Sequence, residues 1–371
     1  MVDYFGNRHE EQFIFRRVSF PGQVEGEEIA QVYGGSIESS AFSEIRESGS
    51  CDFEGDEAPS DLDLLRIYYT FLDDDNQRAT HALATMRMSI TEPEYNGDSV
   101  SGSIDLYGLL QILSNRQYGR PFTVPAGTAA VSFAKQLCES LHLRVNATAS
   151  SYETSADHTF SADDSYLTIC NWLMDVAGYA SLDTDAYGVV QMHPYVEPTD
   201  RAIAFTFADG ENSIFFPEVK VSNNWAETPN VVRLTYETDE LSLWASASNT
   251  DPTSRASVTV RNEEITLCES VSELEGDTAA QKLANLKDLA RRKLLDNSSE
   301  IEYTTVSHAW VPVQRNTSVA LEYGGAGLSK SGSVTNQTIS LQPSGSTTSK
   351  VRRYVHPSLG IETEGGISWP A

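Results

Sequence analysis

Positive charge is scarce in this sequence. Lys and Arg number 26 against 53 Asp and Glu, a formal net charge of −27 over 371 residues. Binding to phosphates needs clustered Lys and Arg, so this balance speaks against a nucleic-acid-binding surface. It leaves two uses for the acid: solubility, or a surface that must not stick to a polyanion passing nearby. Cysteine is scarce too. Cys51, Cys138, Cys170 and Cys268 are far apart, with no Cys-x-x-Cys pair, which argues against a disulfide framework and points to reduced thiols and assembly in a cytosol. No apolar run is long enough to cross a bilayer, and Met1–Arg8 lacks the apolar core of a signal peptide. The Asn-x-Ser/Thr sites at Asn146, Asn297 and Asn336 therefore carry no weight as glycosylation signals. Hydrophobic content of 40% is that of a folded chain, and the length suits roughly two to four domains.

What is present is organised around Pro125–Pro194. Val131, Ala134, Leu137, Cys138 and Leu141 recur at helical spacing, with Thr128 as the expected N-cap. Ser161 and Asp164 form a Ser-x-x-Asp start for a second helix through Leu167, Ile169, Cys170 and Leu173, and Gly178 stands where a left-handed C-cap is needed. Tyr179–Asp183 and Val189–His193 then read as a hairpin with a glycine-bearing loop. The expected fold class is mainly β with α+β insertions, two antiparallel β-barrel domains flanking this helix-strand-helix-hairpin module.

The flanks carry the β pattern. Leu64–Phe71 and Thr80–Ile90 alternate about the Asp73-Asp74-Asp75-Asn76 tip, and Gln12–Phe20, Ser50–Gly55 and Ser99–Tyr107 complete a first region. A second region contains Ala204–Phe207, Glu218–Val221, Val231–Tyr236, Leu241–Ala245, Ser257–Val260, Ile301–Trp310 and Ser318–Tyr323. Ser333–Leu341 and Lys350–Tyr354 are weaker strands around a Ser/Gly/Thr tip. One helix interrupts it, capped by Asp277, with Ala279, Leu283, Leu286, Ala290 and Leu294 inward. The division that follows is 1–120 first β-barrel, 121–201 module, 202–355 second β-barrel with helix 277–296 inserted, and 356–371 a C-terminal tail. No strict internal repeat is evident.

No catalytic, cofactor-binding or metal-ligating residue is assigned. Gly324–Lys330 lacks the Gly-Lys-Ser/Thr ending of a phosphate loop, and His9-Glu10-Glu11 has no second histidine at helical spacing. In the Asp73/Asp75/Gln77 run Arg78 replaces a calcium loop's glycine. Trp172, Trp225, Trp244, Trp310 and Trp369 suit core or interface packing better than a sugar platform, with Trp172 in the core.

The order of parts resembles the tail hub and baseplate hub proteins of tailed bacteriophages and contractile injection machines. The likeness is carried by Pro125-Ala126-Gly127-Thr128, by His158–Ser161 through Gly178-Tyr179, by Asp185–Val190, by Asn230–Tyr236 and by the Asp277–Leu295 helix, and it spans roughly Ile29–Val355. The resemblance implies a structural hub without catalysis: a homotrimeric ring in which two related barrels per chain imitate sixfold symmetry. It further implies hexameric tail or tail-tube rings on one face, a threefold spike, fibre or receptor-binding protein on the other, and a tape measure protein as a further neighbour. The genome would pass a central channel whose acidic lumen does not hold it, without membrane insertion. The place implied is the distal end of the virion tail, with assembly in the host cytoplasm. Family members often continue into a fibre, peptidase or muralytic domain, whereas this sequence stops at Ala371. Two rival readings have separate signatures. A tail-associated cell-wall or polysaccharide hydrolase needs two carboxylates of separated pKa in a cleft, and a receptor- or carbohydrate-binding module needs exposed aromatics grouped on one face.

Overall fold

The strongest β-former of the sequence, Leu64–Leu72, lies in the interior of the largest sheet, with only Tyr68 and Leu72 half-exposed. In the computed structural model, which describes residue 4 and residues 8–210, 213–223, 227–298, 302–353 and 360–368, the first β region contains eight strands. They are β1 (His9–Val18), β2 (Glu25–Glu28), β3 (Val32–Ser40), β4 (Glu47–Gly55), β5 (Leu64–Leu72), β6 (Arg78–Ser89), β7 (Glu94–Asn96) and β8 (Ser99–Gly108). A short helix α1 (Leu110–Ser114) follows. These strands enclose a core of Phe15, Phe53, Ile67, Phe71, Met86 and Ile104.

The module comes next: β9 (Phe122–Val124), α2 (Ala130–Ser140), β10 (Val145–Ala147), β11 (His158–Phe160), α3 (Tyr166–Val176), β12 (Asp183–Thr184) and β13 (Val190–Met192). Its core joins the two apolar helix stripes to Val124, Phe160, Val190 and Met192 of its strands, and takes in Leu109, Leu110 and Val18 from the first β region.

The remaining elements are β14 (Ile203–Ala208), β15 (Phe215–Asn223), β16 (Val231–Glu237), β17 (Ser242–Asn249), α4 (Val258–Arg261), β18 (Thr266–Val271) and α5 (Ala279–Ser298). They continue with β19 (Glu302–His308), β20 (Ser318–Tyr323), β21 (Leu328–Ser340), β22 (Thr347–Arg353) and β23 (Ile361–Ser368). A single 14-stranded sheet runs through both β regions in the order β15-β19-β22-β21-β3-β4-β8-β6-β5-β1-β2, with β7, β14 and β20 attached beside it. The join is β21. Its first half, Leu328–Ser333, pairs with β20; past a register shift between Val334 and Asn336 its second half, Asn336–Ser340, pairs with β3. The pairing is antiparallel except at β14–β20. Phe207, Val306, Val311, Val319, Leu321 and Val334 form a second core beneath β14, β15 and β19–β22.

Three expectations are corrected here. Residues 202–355 do not make one barrel, because β16, β17, β18 and β23 form a separate four-stranded sheet covered by α5 through Leu286, Ala290 and Leu294. The described part of the expected tail, Ile361–Ser368, is a full strand bonded to β17 along its length. There Gly365 lets β23 lie close on β17: a Cβ would come within 2.6 Å of Trp244 O. Ser257–Val260 is helical rather than extended, since the Ser257 hydroxyl accepts from the Val260 amide and caps a short turn.

Caps differ by a residue. α3 is capped by Ser165, while Asp164 reaches back to the Ser161 amide at 2.7 Å. Before α2, Thr128 Oγ bonds to Pro125 O instead of capping. For α5 the cap is Thr278, not Asp277: its hydroxyl accepts from the Gln281 amide, and Gln281 Oε1 accepts from the Thr278 amide, a reciprocal box.

The module also contains a repeat that the sequence does not announce. α2 and α3 are each 11 residues long and start 36 residues apart, as do β9 and β11. β9 and β11 pair antiparallel with Thr123 opposite Thr159, their hydroxyls 2.8 Å apart, so a pseudo-twofold axis passes between equivalent residues. The same axis relates the bridge Gln117–Ser165 to Glu153–Ala129. It also brings Cys170 Sγ to the carbonyl of its equivalent, Ala134, at 3.8 Å. Both helices end alike, with positive φ at His142 (61°) and Gly178 (71°).

Candidate functional site: a three-way junction and open sheet edges

The most constrained polar cluster lies where both β regions and the module meet. Arg315, between β19 and β20, donates through Nη1 to Glu47 Oε1 at 2.7 Å and through Nε to Asp183 Oδ1 at 2.9 Å. Its Nη2 reaches Asp183 and also Thr184 O at 2.8 Å. Glu47 opens β4, Asp183 opens β12, and the Arg315 and Glu47 side chains are almost fully enclosed. Burial pushes the Glu47 carboxyl up against the pull of Arg315. Burial works against the Arg315 charge as well, but Glu47 and Asp183 outweigh it and hold the guanidinium protonated. Arg46 lies beside the cluster and donates to Ala41 O and to Leu182 O. The carboxylates are consumed by Arg315, so the junction is a clamp, not an acid–base pair facing a cleft. Nearby, at the β3–β21 seam, a shallow groove of about 210 Å³ is lined by Glu38, Ser40, Ser43, Arg46, Asn336 and Thr338.

A second cluster has the composition of a nucleophile pair without the access. His308 Nδ1 lies 2.7 Å from Ala309 O, a pure acceptor, so the proton is on Nδ1. Nε2 therefore accepts from the Ser349 hydroxyl at 2.8 Å, and Ser349 Oγ in turn accepts from Gln337 Nε2 at 3.2 Å. His308 and Ser349 are completely buried, and burial lowers the His308 pKa to about 4. Both ring nitrogens of His308 and the Ser349 hydroxyl are thus held by buried partners, closed off from solvent.

The residues singled out in the sequence are dispersed. Trp310 is buried in the first core against Tyr69 and His81. Trp172 is half-buried at the module's rim, stacked on His158 at 4.3 Å, rather than in the core. Trp244 is exposed on the outer face of the small sheet. Trp225 and Trp369 lie outside the described residues. Trp244 and Trp310 thus share no face. Asp73 Oδ1 accepts from the amides of Asp75 and Gln77, the geometry of a solvated hairpin tip. Gly325 N donates to Asp209 in the glycine turn. Among the described residues no group of three or more His, Cys, Asp or Glu is placed to hold a metal, and no helix is long and apolar enough to cross a membrane.

The other functional feature is the sheet's open ends. β2 presents Glu25, Glu27 and Glu28, all exposed, with Glu25 tied to Arg66 at 2.7 Å. At the far end of the path β15 exposes Phe216 and Val221, and on the branch through β20 the outer strand β14 exposes Ile203. Sequence reading did not find the Arg315 clamp, whose partners lie 132 and 268 residues away.

The class of fold is that of phage tail proteins and the hub-like proteins of contractile injection systems. The tail protein from Neisseria meningitidis MC58 is similar with a TM-score of 0.65 at 12% identity, covering 92% of this chain and 97% of that one. The 43 kDa tail protein of prophage MuSo2 from Shewanella oneidensis gives 0.62 at 12% identity, over 94% and 99%. A chain of the Francisella PdpA–VgrG complex gives 0.55 at 9%, covering 95% of this chain and 59% of that one. No family profile and no curated protein sequence matches. At such identities the likeness is one of fold.

Proposed function

We propose that the chain is a structural hub of a phage tail tip or baseplate, a homotrimeric ring without catalytic activity. One observation carries this reading: a hydrogen-bonded sheet passes without a break from one β region to the other through β21–β3 and ends in edges unpaired among the described residues. Unpaired strand edges that expose Val221 and Ile203 invite another chain. Two β regions per chain, repeated three times, supply six similar positions around one axis, which suits a hexameric tail or tail-tube ring on one side and a threefold spike, fibre or receptor-binding protein on the other. In this reading residues 1–120 and 202–355 contribute the ring and the module at 121–201 lies outside it, with β16–β18, α5 and β23 as a peripheral insertion. A net charge of −27 suits a channel that passes a genome, and a tape measure protein before it, without holding either.

The test is the mass of the full chain by light scattering over a range of concentrations, with negative-stain imaging of the main peak. A threefold ring with a central hole, at about three times the 40.7 kDa chain mass, is expected. A monomer that cleaves cell wall or polysaccharide would replace this reading with the hydrolase.

A further inference from the structure

The two halves of the module are equivalent in backbone, yet among the described residues only one has its outer face covered. On the second repeat the loop after β18 is seated. Glu273 Oε1 accepts from the Ser155 amide at 2.6 Å, the Ser155 hydroxyl at 2.9 Å and the Tyr152 hydroxyl at 3.3 Å. The adjoining Ser272 hydroxyl lies 3.5 Å from Trp172 Nε1, beside the His158–Trp172 stack. An acidic segment, Ser272-Glu273-Leu274-Glu275, thus lies against an aromatic pair and a hydroxyl-lined loop.

The 36-residue offset carries these positions to Gly119, Arg116, Gln136 and Phe122 of the first repeat. There Phe122 stacks on Tyr118 with centroids 4.0 Å apart and planes 3° apart, and on Phe133 at 6.0 Å. The loop beside this ladder, Asn115–Arg120, has exposed Arg116 and Arg120 and no acid. Neither arginine is in an ion pair among the described residues; the Arg116 guanidinium lies over the Tyr166 ring at 6.0 Å. One group differs: the Gly119 amide, equivalent to the Ser155 amide, already donates to Ala162 O. The first repeat offers guanidinium groups where the second offers an amide and a phenol.

We propose that this face of the first repeat is a docking site for an acidic, extended segment of another protein chain, seated as Ser272–Glu275 is on the second repeat. Arg116 and Arg120 take its carboxylates, for which guanidinium is a bidentate match, and the aromatic ladder lies alongside the segment as the His158–Trp172 pair lies beside Ser272. Two arginines left without carboxylates in a chain with twice as many acids as bases give the charge complementarity. The proposal does not depend on the ring.

The probe is a fluorescent peptide with the sequence of residues 271–277, Val-Ser-Glu-Leu-Glu-Gly-Asp, titrated with the full chain at low ionic strength and read by anisotropy. Saturable binding is expected, weakened about tenfold or more by the double variant Arg116→Glu/Arg120→Glu and by a peptide with Gln in place of Glu. Both arginines are exposed, so the variant keeps its circular dichroism. Absence of saturable binding would overturn the proposal. So would binding that the double variant leaves unchanged, because the peptide would then be seated elsewhere, on the second repeat's own face included.

Discussion

Arg315 and Glu47 stand 268 residues apart in sequence and 2.7 Å apart in space, in a setting almost closed to water. This contact joins the second β region to the first, and the same guanidinium holds Asp183 of the module. Replacing Arg315 by Met leaves buried Glu47 without its cation and Asp183 with Arg46 alone beside it, which costs about 3–5 kcal/mol. Urea unfolding should show that loss, and adding Glu47→Gln to the Arg315→Met variant should return part of it. Equal stability of Arg315→Met and wild type would show that the clamp is not structural.

His308 sets a pH dependence. Its ordinary pKa of 6.5 falls to about 4 in the folded chain, because burial disfavours the imidazolium. The unfolded chain therefore takes up the proton first. The stability due to neutral His308 is complete above pH 6.5, declines as pH falls, and is lost by about pH 4. The gap corresponds to about 3 kcal/mol. Stability measured across this range should fall more steeply for wild type than for His308→Gln, which keeps a hydrogen-bonding side chain but cannot titrate.

Two glycines separate backbone strain from packing. Gly178 and Gly188 both have positive φ, 71° and 73°, but a Cβ on Gly178 meets open space, while one on Gly188 would be 2.7 Å from Leu109 Cδ1 and 3.2 Å from Thr85 Cβ. Gly178→Ala should cost about 1 kcal/mol. Gly188→Ala should cost about 1–3 kcal/mol more, since the hairpin tip must lift from the first β region. That tip is anchored by Thr85 Oγ to Ala186 O and by Arg66 to Tyr187 O. Equal thermal shifts for the two variants would show that the tip yields freely.

Val221 offers a test of the open edge. It is 45% exposed on β15, so Val221→Lys should leave unfolding within about 0.5 kcal/mol of wild type. The lysine blunts the edge, and association measured by light scattering should shift to higher concentration. Unchanged association would place the contact between chains elsewhere.

The sequence by itself determined the module and the β character of both flanks. Helical spacing in Val131–Leu141 and Leu167–Leu173, the Gly178 cap and the alternation of Thr80–Ile90 are local signals, set by which face of a helix or strand leaves water. Only the tertiary structure decided how the β strands are shared out. β16, β17 and β21 all read simply as strands, and whether one joins the large sheet or the small one depends on partners far along the chain. Residues 361–368 read as a tail because two glycines and two acids weaken the strand pattern; pairing with β17 makes them a strand. The repeat stayed hidden because its two copies share backbone path and hydrogen bonds but few side chains: Phe122 answers to His158, and Arg116 to Tyr152. Backbone geometry survives such divergence, since a helix start or a left-handed turn tolerates many residues that a sequence comparison counts as different. The Arg315 clamp lay beyond sequence reading for a related reason. A charge in a loop looks solvated until folding brings buried carboxylates to it, and the energy that makes it matter exists only after water has left.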